Sequence, residues 1–182
     1  DPSDENSIRH NLVHALLEDR DGYLWIGTDR GGLSRYDRSR DLFTHFRHNP
    51  ADTRSIPTNW ITSLVQDRTG RIWVGTGEGL CRMDMAGRGF VRFVHDPANP
   101  RSLASNWVLG IYEDRSGSLW IGTGEGLDLF EGTGRFVHFR RDPADPNSLP
   151  GDIVRTIIED REGYLWVGTN SGLARMDRKQ NR

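Results

Sequence analysis

The sequence predicts an all-β fold built from four tandem copies of one four-stranded antiparallel unit. Two observations predict it. A Leu/Ile-Trp-Ile/Val-Gly-Thr motif recurs four times in 182 residues, with tryptophans 48, 47 and 46 residues apart, and every copy contains short β-prone runs separated by turn residues. The motif tryptophans are Trp25, Trp73, Trp120 and Trp166. No run within a copy has the length and periodicity of a useful helix.

Each motif tryptophan is preceded by an aspartate six positions earlier and by a glycine three positions earlier. The aspartates are Asp19, Asp67, Asp114 and Asp160. An Asp-x-x-Gly step has Asp at the first position of a tight turn and Gly where positive φ is needed, which is typical of a hairpin. We interpret both recurrent residues as structural, with the tryptophans packed between units and the aspartates accepting backbone N–H bonds.

The second copy shows the four predicted strands of a unit. They are residues 60–66, 71–76, 80–84 and 90–94, joined by the Asp-x-x-Gly turn and a Gly-Glu-Gly turn. The first strand is apolar on both faces, which predicts a sheet covered from both sides. Four-stranded sheets of this kind in tandem specify a β-propeller, whose blades stack face to face around a channel. A parallel β-helix is the competing repeat fold, but its coils are usually shorter and lack hairpin turns.

The predicted repeats occupy about residues 1–48, 49–95, 96–141 and 142–182 of one propeller segment spanning 1–182. The last repeat lacks the Phe-x-x-Phe strand, so fifteen strands are expected. Propellers contain about 4 to 8 blades. We therefore expect an incomplete ring of four repeats, either a piece of a larger propeller or a half-ring that two copies complete by self-association.

The composition limits the classes of partner. The 24 Lys and Arg residues against 26 Asp and Glu give a net charge of -2, which supplies no field for collecting nucleic acid. No stretch approaches the roughly 20 apolar residues of a spanning helix, so direct membrane contact is not expected. A lone Cys81 excludes an internal disulfide and a zinc site built from cysteines. We expect no cofactor and no metal.

The positions at which the copies differ are the candidates for ligand binding. Where the first strand of each copy begins, two copies have Asn59-Trp60 and Asn106-Trp107, and the fourth has Asp152. An aromatic ring beside amides and carboxylates suits the stacking of a sugar ring and the bonding of its hydroxyls. The alternative is that both rings fill space between blades. The predicted ligand-binding set is Asn59, Trp60, Asn106, Trp107, Asp152, His14 and Arg155.

The sequence does not predict catalysis. His45-x-x-His48 falls on or beside a strand, where a spacing of three points the two side chains to opposite faces. Asp19-x-Asp21-Gly22 resembles a fragment of a calcium loop, but the remaining ligands are missing. We expect a non-catalytic protein.

The pattern Asp-x-x-Gly-x-Leu-Trp-Ile-Gly-Thr, followed by Gly-Leu-x-Arg-Tyr/Met-Asp and Phe-x-x-Phe, closely resembles the two-component regulator propeller repeat. It is carried by residues 19–37, 67–84, 114–130 and 160–177. The third copy departs from this pattern over residues 128–131. We expect this departure to change only a pairing of surface side chains that is repeated in the other copies.

This resemblance implies the periplasmic, or otherwise extracytoplasmic, sensor region of a membrane-anchored bacterial hybrid histidine kinase. Such regions often respond to products of polysaccharide breakdown. The expected function is a signal-transduction segment that recognises an oligosaccharide or another small ligand. A general protein–protein interaction scaffold is the second interpretation, and a channel-centred propeller lyase is the third.

Overall fold

The computed structural model describes residue 4 and residues 6–177, and this part of the chain contains fifteen β-strands. The strands are β1 (Val13–Glu18), β2 (Leu24–Thr28), β3 (Leu33–Asp37), β4 (Leu42–Phe46), β5 (Ile61–Gln66), β6 (Ile72–Thr76), β7 (Gly79–Met83), β8 (Phe90–Phe93), β9 (Val108–Glu113), β10 (Leu119–Thr123), β11 (Gly126–Phe130), β12 (Phe136–Phe139), β13 (Val154–Glu159), β14 (Leu165–Thr169) and β15 (Gly172–Met176).

The strands form four separate antiparallel sheets, each a meander in which consecutive strands are neighbours. Blades 1, 2 and 3 are the four-stranded sheets β1–β4, β5–β8 and β9–β12, and blade 4 is the three-stranded sheet β13–β15. The predicted fold class is therefore confirmed. The ends of the first and last predicted repeats, at residues 1–3 and 178–182, lie outside the described residues and stay predictions.

The described residues contain no helix that is long and apolar enough to cross a membrane. The chain divides into two compact units, Asp1–Arg92 and Phe93–Arg182. Unit 1 holds blades 1 and 2, and unit 2 holds blades 3 and 4.

The hydrophobic core of unit 1 lies between its two blades. Trp25 and Leu33 of blade 1 pack with Ile61 and Val74 of blade 2, and Ile56 from the connection between the blades completes the cluster. All five are 2% exposed or less. Burial of such side chains contributes about 1.5–3 kcal/mol each, so stacking one blade on the next stabilises the unit.

Unit 2 repeats this core with equivalent residues. Trp120 and Leu127 of blade 3 pack with Val154 and Val167 of blade 4, together with Leu149 from the connection. The two clusters occupy equivalent positions of the repeat, and only the type of aliphatic residue changes, from Ile56 to Leu149 and from Ile61 to Val154. The sequence repeat therefore encodes one blade-to-blade interface used in both units.

Small residues allow the blades to approach closely. Ala15 of β1 is paired with Gly27 of β2, and a Cβ built on Gly27 would lie 2.5 Å from Cγ2 of Ile61 in blade 2. In unit 2 a Cβ on Gly122 would lie 2.7 Å from the carbonyl oxygen of Val154. Both distances are shorter than a carbon–carbon or carbon–oxygen contact allows, so the glycine of the Trp-Ile-Gly-Thr motif is required for blade stacking.

Candidate functional site

The recurrent aspartates are used inside their own turns. Oδ1 of Asp19 accepts hydrogen bonds from the backbone N–H groups of Asp21 at 3.0 Å and Tyr23 at 2.9 Å, and Oδ2 accepts one from Nε1 of Trp25 at 2.6 Å. Gly22 closes the turn with φ of 83°. The other three tryptophans donate to their aspartates in the same way, at 2.8, 2.8 and 2.6 Å for Trp73, Trp120 and Trp166. The oxygens of these carboxylates therefore already accept hydrogen bonds from their own turns and from the motif tryptophans.

This arrangement predicts acid sensitivity of the fold. Burial raises the pKa of Asp67, but hydrogen bonds from Thr69, Trp73 and Arg71 outweigh it and hold the pKa below its usual value. The carboxylate therefore contributes stability above the unfolded-state pKa of about 3.9. That contribution is lost as the pH falls through the lower, folded-state pKa.

We expect Asp67→Asn to be less stable than the wild type at pH 7. The stability difference should shrink as the pH falls from about 4 through the lower folded-state pKa, because the wild-type side chain then becomes neutral, as asparagine already is. Urea unfolding followed by circular dichroism between pH 7 and pH 3 measures it. A difference that is independent of pH would contradict the assigned role of the carboxylate.

A cleft of about 470 Å³ in unit 1 contains two of the predicted ligand-binding residues, Asn59 and Trp60. They lie in the connection that precedes β5. The rest of the lining is Asp29, Arg30, His48, Pro57, Thr58 and Glu78.

Trp60 lies across the backbone of the β6–β7 turn. Its carbonyl accepts the N–H of Gly77 at 3.2 Å, and a Cβ on Gly77 would lie 2.3 Å from Cε3 of the indole. The ring therefore rests on a position that only glycine can occupy. It remains 38% exposed.

In every blade, the residue just before the first strand is paired through its backbone with a residue in the turn after the second strand, and the sizes of the two side chains are matched. The backbone pairs at this position are Leu12 with Asp29, Trp60 with Gly77, Trp107 with Gly124 and Ile153 with Asn170. Glycine stands opposite each tryptophan, and a larger polar residue stands opposite each aliphatic residue. The aromatic platforms are thus built by two matched positions about 17 residues apart in the sequence, rather than by the tryptophan alone.

Charged groups form the rim of the cleft. Oδ2 of Asp29 forms an ion pair with Nε of Arg30 at 3.2 Å, and its Oδ1 lies 3.4 Å from Nε2 of His14. The Arg30 side chain is 84% exposed, and Glu78 is also exposed. The predicted residue His14 thus reaches the cleft through Asp29. The rim offers both acceptors and donors to a hydroxylated ligand.

The polar atoms of Asn59 and His48 hold the local backbone. Oδ1 of Asn59 accepts the N–H of His48 at 2.9 Å, and Nδ1 of His48 lies 3.0 Å from the carbonyl oxygen of Ile56. The amide oxygen of Asn59 is therefore already bonded. Within the Asn59-Trp60 pair, the indole is the group that is presented to a ligand.

Unit 2 contains an equivalent pair. Oδ1 of Asn106 accepts the N–H of His95 at 2.7 Å, and the half-buried Trp107 rests on Gly124, where a Cβ would lie 2.9 Å from Cε3. The remaining predicted residues, Asp152 and Arg155, are exposed at the start of blade 4.

The sequence interpretation missed Asp29, Arg30 and Glu78, which line the cleft from hairpin turns. The first copy has one more residue between Thr28 and Leu33 than the other copies. This insertion was the available signal, because it makes the β2–β3 turn of blade 1 different from the others and brings Arg30 to the rim.

The departure of the third copy is larger than the predicted change in a surface pairing. Asp128 is completely buried. Its Oδ1 lies 2.7 Å from Nδ1 of His138, and its Oδ2 accepts the N–H of Ala104 at 2.7 Å. Burial raises the pKa of Asp128 against the opposing effect of these hydrogen bonds. Nε2 of His138 lies 3.0 Å from the carbonyl oxygen of Pro100, so the pair ties β11 and β12 to the connection between blades.

Neither the cysteine thiol nor a cluster of metal-ligating side chains forms a second candidate site in the described residues. Burial raises the pKa of the Cys81 thiol to about 12. Across residues 6–177, no group of three or more His, Cys, Asp and Glu side chains is close enough to hold a metal ion.

The two component regulator propeller family matches the chain at residues 7–30, 55–78, 102–125 and 148–171. Each matched segment runs from the connection before a blade into the turn after its second strand. No curated protein matches the sequence.

Solved structures resemble this fold over nearly the whole chain. The extracellular domain of a protein assigned as a hybrid two-component system in B. thetaiotaomicron superposes with a TM-score of 0.69 at 24% identity, over 95% of this chain and 29% of that chain. The extracellular domain of a protein of the same species assigned as a one-component system superposes with a TM-score of 0.76 at 24% identity, over 94% and 24% of the two chains. The chain thus spans about a quarter of the length of these domains.

A streptogramin B lyase is also similar, with a TM-score of 0.68 at 19% identity, over 97% of this chain and 54% of the lyase. Identities this low show a common propeller fold.

Proposed function

This chain belongs to the two component regulator propeller family, and on that premise we propose that it is a non-catalytic, ligand-sensing propeller segment of a bacterial two-component signalling protein. The similar extracellular domains support an extracytoplasmic location, and we propose the periplasm. A propeller of this kind transmits a signal through a partner or a hinge whose equilibrium is shifted by ligand binding.

The observation that carries the proposal is the cleft around Trp60. Trp60 is 38% exposed, and its indole, which rests on a glycine turn, presents an apolar platform at little cost in side-chain entropy. The C–H face of a sugar ring stacks on such a platform. Asp29, Arg30 and Glu78 then surround the platform with groups that bond hydroxyls. We therefore propose an oligosaccharide ligand.

The charges of the rim favour a neutral oligosaccharide over a uronate. Asp29 and Glu78 are both acidic, whereas Arg30 is the one arginine in the lining and is paired with Asp29. A carboxylate on the ligand would face two protein carboxylates, and like charges this close are unfavourable. Neutral hydroxyls accept from Arg30 and donate to Asp29 and Glu78 without this repulsion.

We propose binding rather than catalysis because the functional groups of the cleft are a stacking ring and a mixed rim. The carboxylates that recur in every blade are held by indole and backbone donors and are not presented to a ligand. The competing lyase hypothesis requires turnover that depends on a metal and is lost in His14→Ala.

Isothermal titration calorimetry with neutral hexasaccharides (cellohexaose, xylohexaose and maltohexaose) and with a uronate oligomer tests the proposal. We expect one neutral sugar to bind and Trp60→Ala to weaken it by at least about tenfold, which is about 1.4 kcal/mol. Trp107→Ala is the matched control, since it removes an equivalent indole from a glycine platform in unit 2. Loss of binding in Trp107→Ala but not in Trp60→Ala would contradict the assigned cleft. Failure of every sugar to bind would contradict an oligosaccharide ligand.

A further inference from the structure

A second cleft, of about 280 Å³, lies between blades 1 and 2 of unit 1. Arg35 and Tyr23 of blade 1 line it together with Met83 and Met85 of blade 2, and we call it the Arg35 cleft. It is bordered by the β1–β2 and β5–β6 turns, whereas the Trp60 cleft is bordered by the β2–β3 and β6–β7 turns. The two clefts therefore lie at opposite ends of the same strands.

Arg35 is a half-buried cation that is held by aromatic rings. The central carbon of its guanidinium lies 4.6 Å from the centroid of the Tyr23 ring and 5.7 Å from the centroid of the Trp25 ring. Among the residues that the structure describes, none accepts a hydrogen bond from this guanidinium or forms an ion pair with it. A guanidinium has five N–H donors, and donors that are partly removed from water are unfavourable without an acceptor. Arg35 is therefore prepared for an acceptor that a ligand supplies.

The half-buried and buried carboxylates of the cleft are already bonded. Both oxygens of Asp19 accept hydrogen bonds, from its own turn and from Trp25. Asp84 is paired with Arg54, and its other oxygen accepts two backbone N–H groups of the β7–β8 turn. The remaining charged residues of the lining have opposite charges and are exposed to water, which screens them; they are Asp21 and Arg71.

The packing of one blade on the next does not require an arginine at this position. In the equivalent interface of unit 2, Leu129 stands in place of Arg35 and Ser118 stands in place of Tyr23. Leu129 packs against the core of that unit. An aliphatic side chain is thus sufficient for the interface, and the cation of unit 1 needs another explanation.

We propose that the Arg35 cleft binds the carboxylate of a small organic acid whose apolar body packs on Ile72 and Met83. The edge of a guanidinium binds a carboxylate through two parallel hydrogen bonds. Ile72 is 5% exposed and belongs to the core of unit 1, and Met83 packs against that core, so the two provide an apolar wall. The volume lies just below the range of about 300–1,000 Å³ that is usual for ligand pockets, which limits the ligand to a small acid. This site is independent of the proposed oligosaccharide.

The three methionines of the chain report on this cleft. Met83 and Met85 line it, and Met176 lies in β15 of blade 4. The probes are phenylacetate, 3-phenylpropionate and hexanoate, each compared with its neutral amide in ¹H–¹³C spectra of the methionine methyl groups. Met83→Leu and Met85→Leu assign the signals. We expect at least one acid to shift the Met83 signal in a saturable way, its amide to bind at least about tenfold more weakly, and the Met176 signal not to shift.

Arg35→Leu tests the guanidinium, and leucine occurs naturally at the equivalent position in blade 3. We expect it to weaken binding of the acid by at least about tenfold. Arg82→Leu is the matched control, because Arg82 is the equivalent residue of blade 2, lies 5.4 Å from the centroid of the Trp73 ring and is not part of the lining. It should bind the acid as the wild type does. Absence of a saturable shift with all three acids, an amide that binds as tightly as its acid, or undiminished binding by Arg35→Leu would overturn the proposal.

Discussion

Replacing Trp25 by alanine is expected to destabilise unit 1 by about 3–5 kcal/mol, the usual cost of truncating a buried aromatic side chain. Trp25 is 2% exposed, stacks on Phe46 with ring centroids 5.7 Å apart, and packs against the facing blade. Its loss opens a cavity in the hydrophobic cluster between the two blades. Chemical unfolding followed by far-ultraviolet circular dichroism measures the change.

Trp166→Ala is the matched control within the chain. Trp166 makes the same bond to its turn aspartate, at 2.6 Å, but it is only half-buried. We expect a loss of about 1–2 kcal/mol, mainly from the lost indole hydrogen bond. Equal losses for the two variants would show that the tryptophans act through their own turns and would contradict the interface as the main source of stability.

Asp128→Ala is expected to destabilise unit 2 by about 3 kcal/mol, because the N–H of Ala104 loses its buried acceptor and the ring of His138 loses its carboxyl partner. The N–H of Ala104 and the ring of His138 both lie 2.7 Å from its carboxyl oxygens. Alanine itself fits this position, since the equivalent residue in blade 4 is Ala174. The loss therefore reports on hydrogen bonds rather than on volume.

Ser34→Ala is the matched control for Asp128→Ala. Ser34 occupies the equivalent position in blade 1 and lies 2.9 Å from Nδ1 of His45. Removal of this one neutral bond should cost about 1 kcal/mol. Thermal unfolding of both variants compares the two losses, and a cost of Asp128→Ala no larger than that of Ser34→Ala would contradict the account of the buried pair.

The fold was predictable from the sequence because its determinants are local and repeated. Four Asp-x-x-Gly turns fix the hairpins, and the strand of residues 60–66 was misplaced by only one residue, since β5 begins at Ile61. The bond between each aspartate and the tryptophan six residues later explains why these two residues recur together. Because the pattern occurs four times, a strand or turn that is ambiguous in one copy can be assigned from the others.

The candidate site was predictable only in part, because its geometry depends on residues from separate strands. The contrast between Trp60 and the equivalent Leu12 marked a variable position. That Trp60 rests on Gly77 follows from the pairing of β5 with β6 inside blade 2, and that it shares a cleft with Asp29 follows from the packing of blade 2 against blade 1. The buried pair of Asp128 and His138 was missed for the same reason, since its partners are brought together by cross-strand pairing.

The most direct test of ligand sensing at the Trp60 cleft is a titration followed by the indole N–H signals in a ¹H–¹⁵N correlation spectrum. The chain has six tryptophans, and Trp60→Phe assigns the signal of Trp60. We predict that a neutral oligosaccharide shifts the Trp60 signal in a saturable way. The N–H signals of the four indoles that donate to turn aspartates should not shift. Saturable shifts confined to tryptophans other than Trp60, or no shift with any neutral oligosaccharide, would contradict the proposed site.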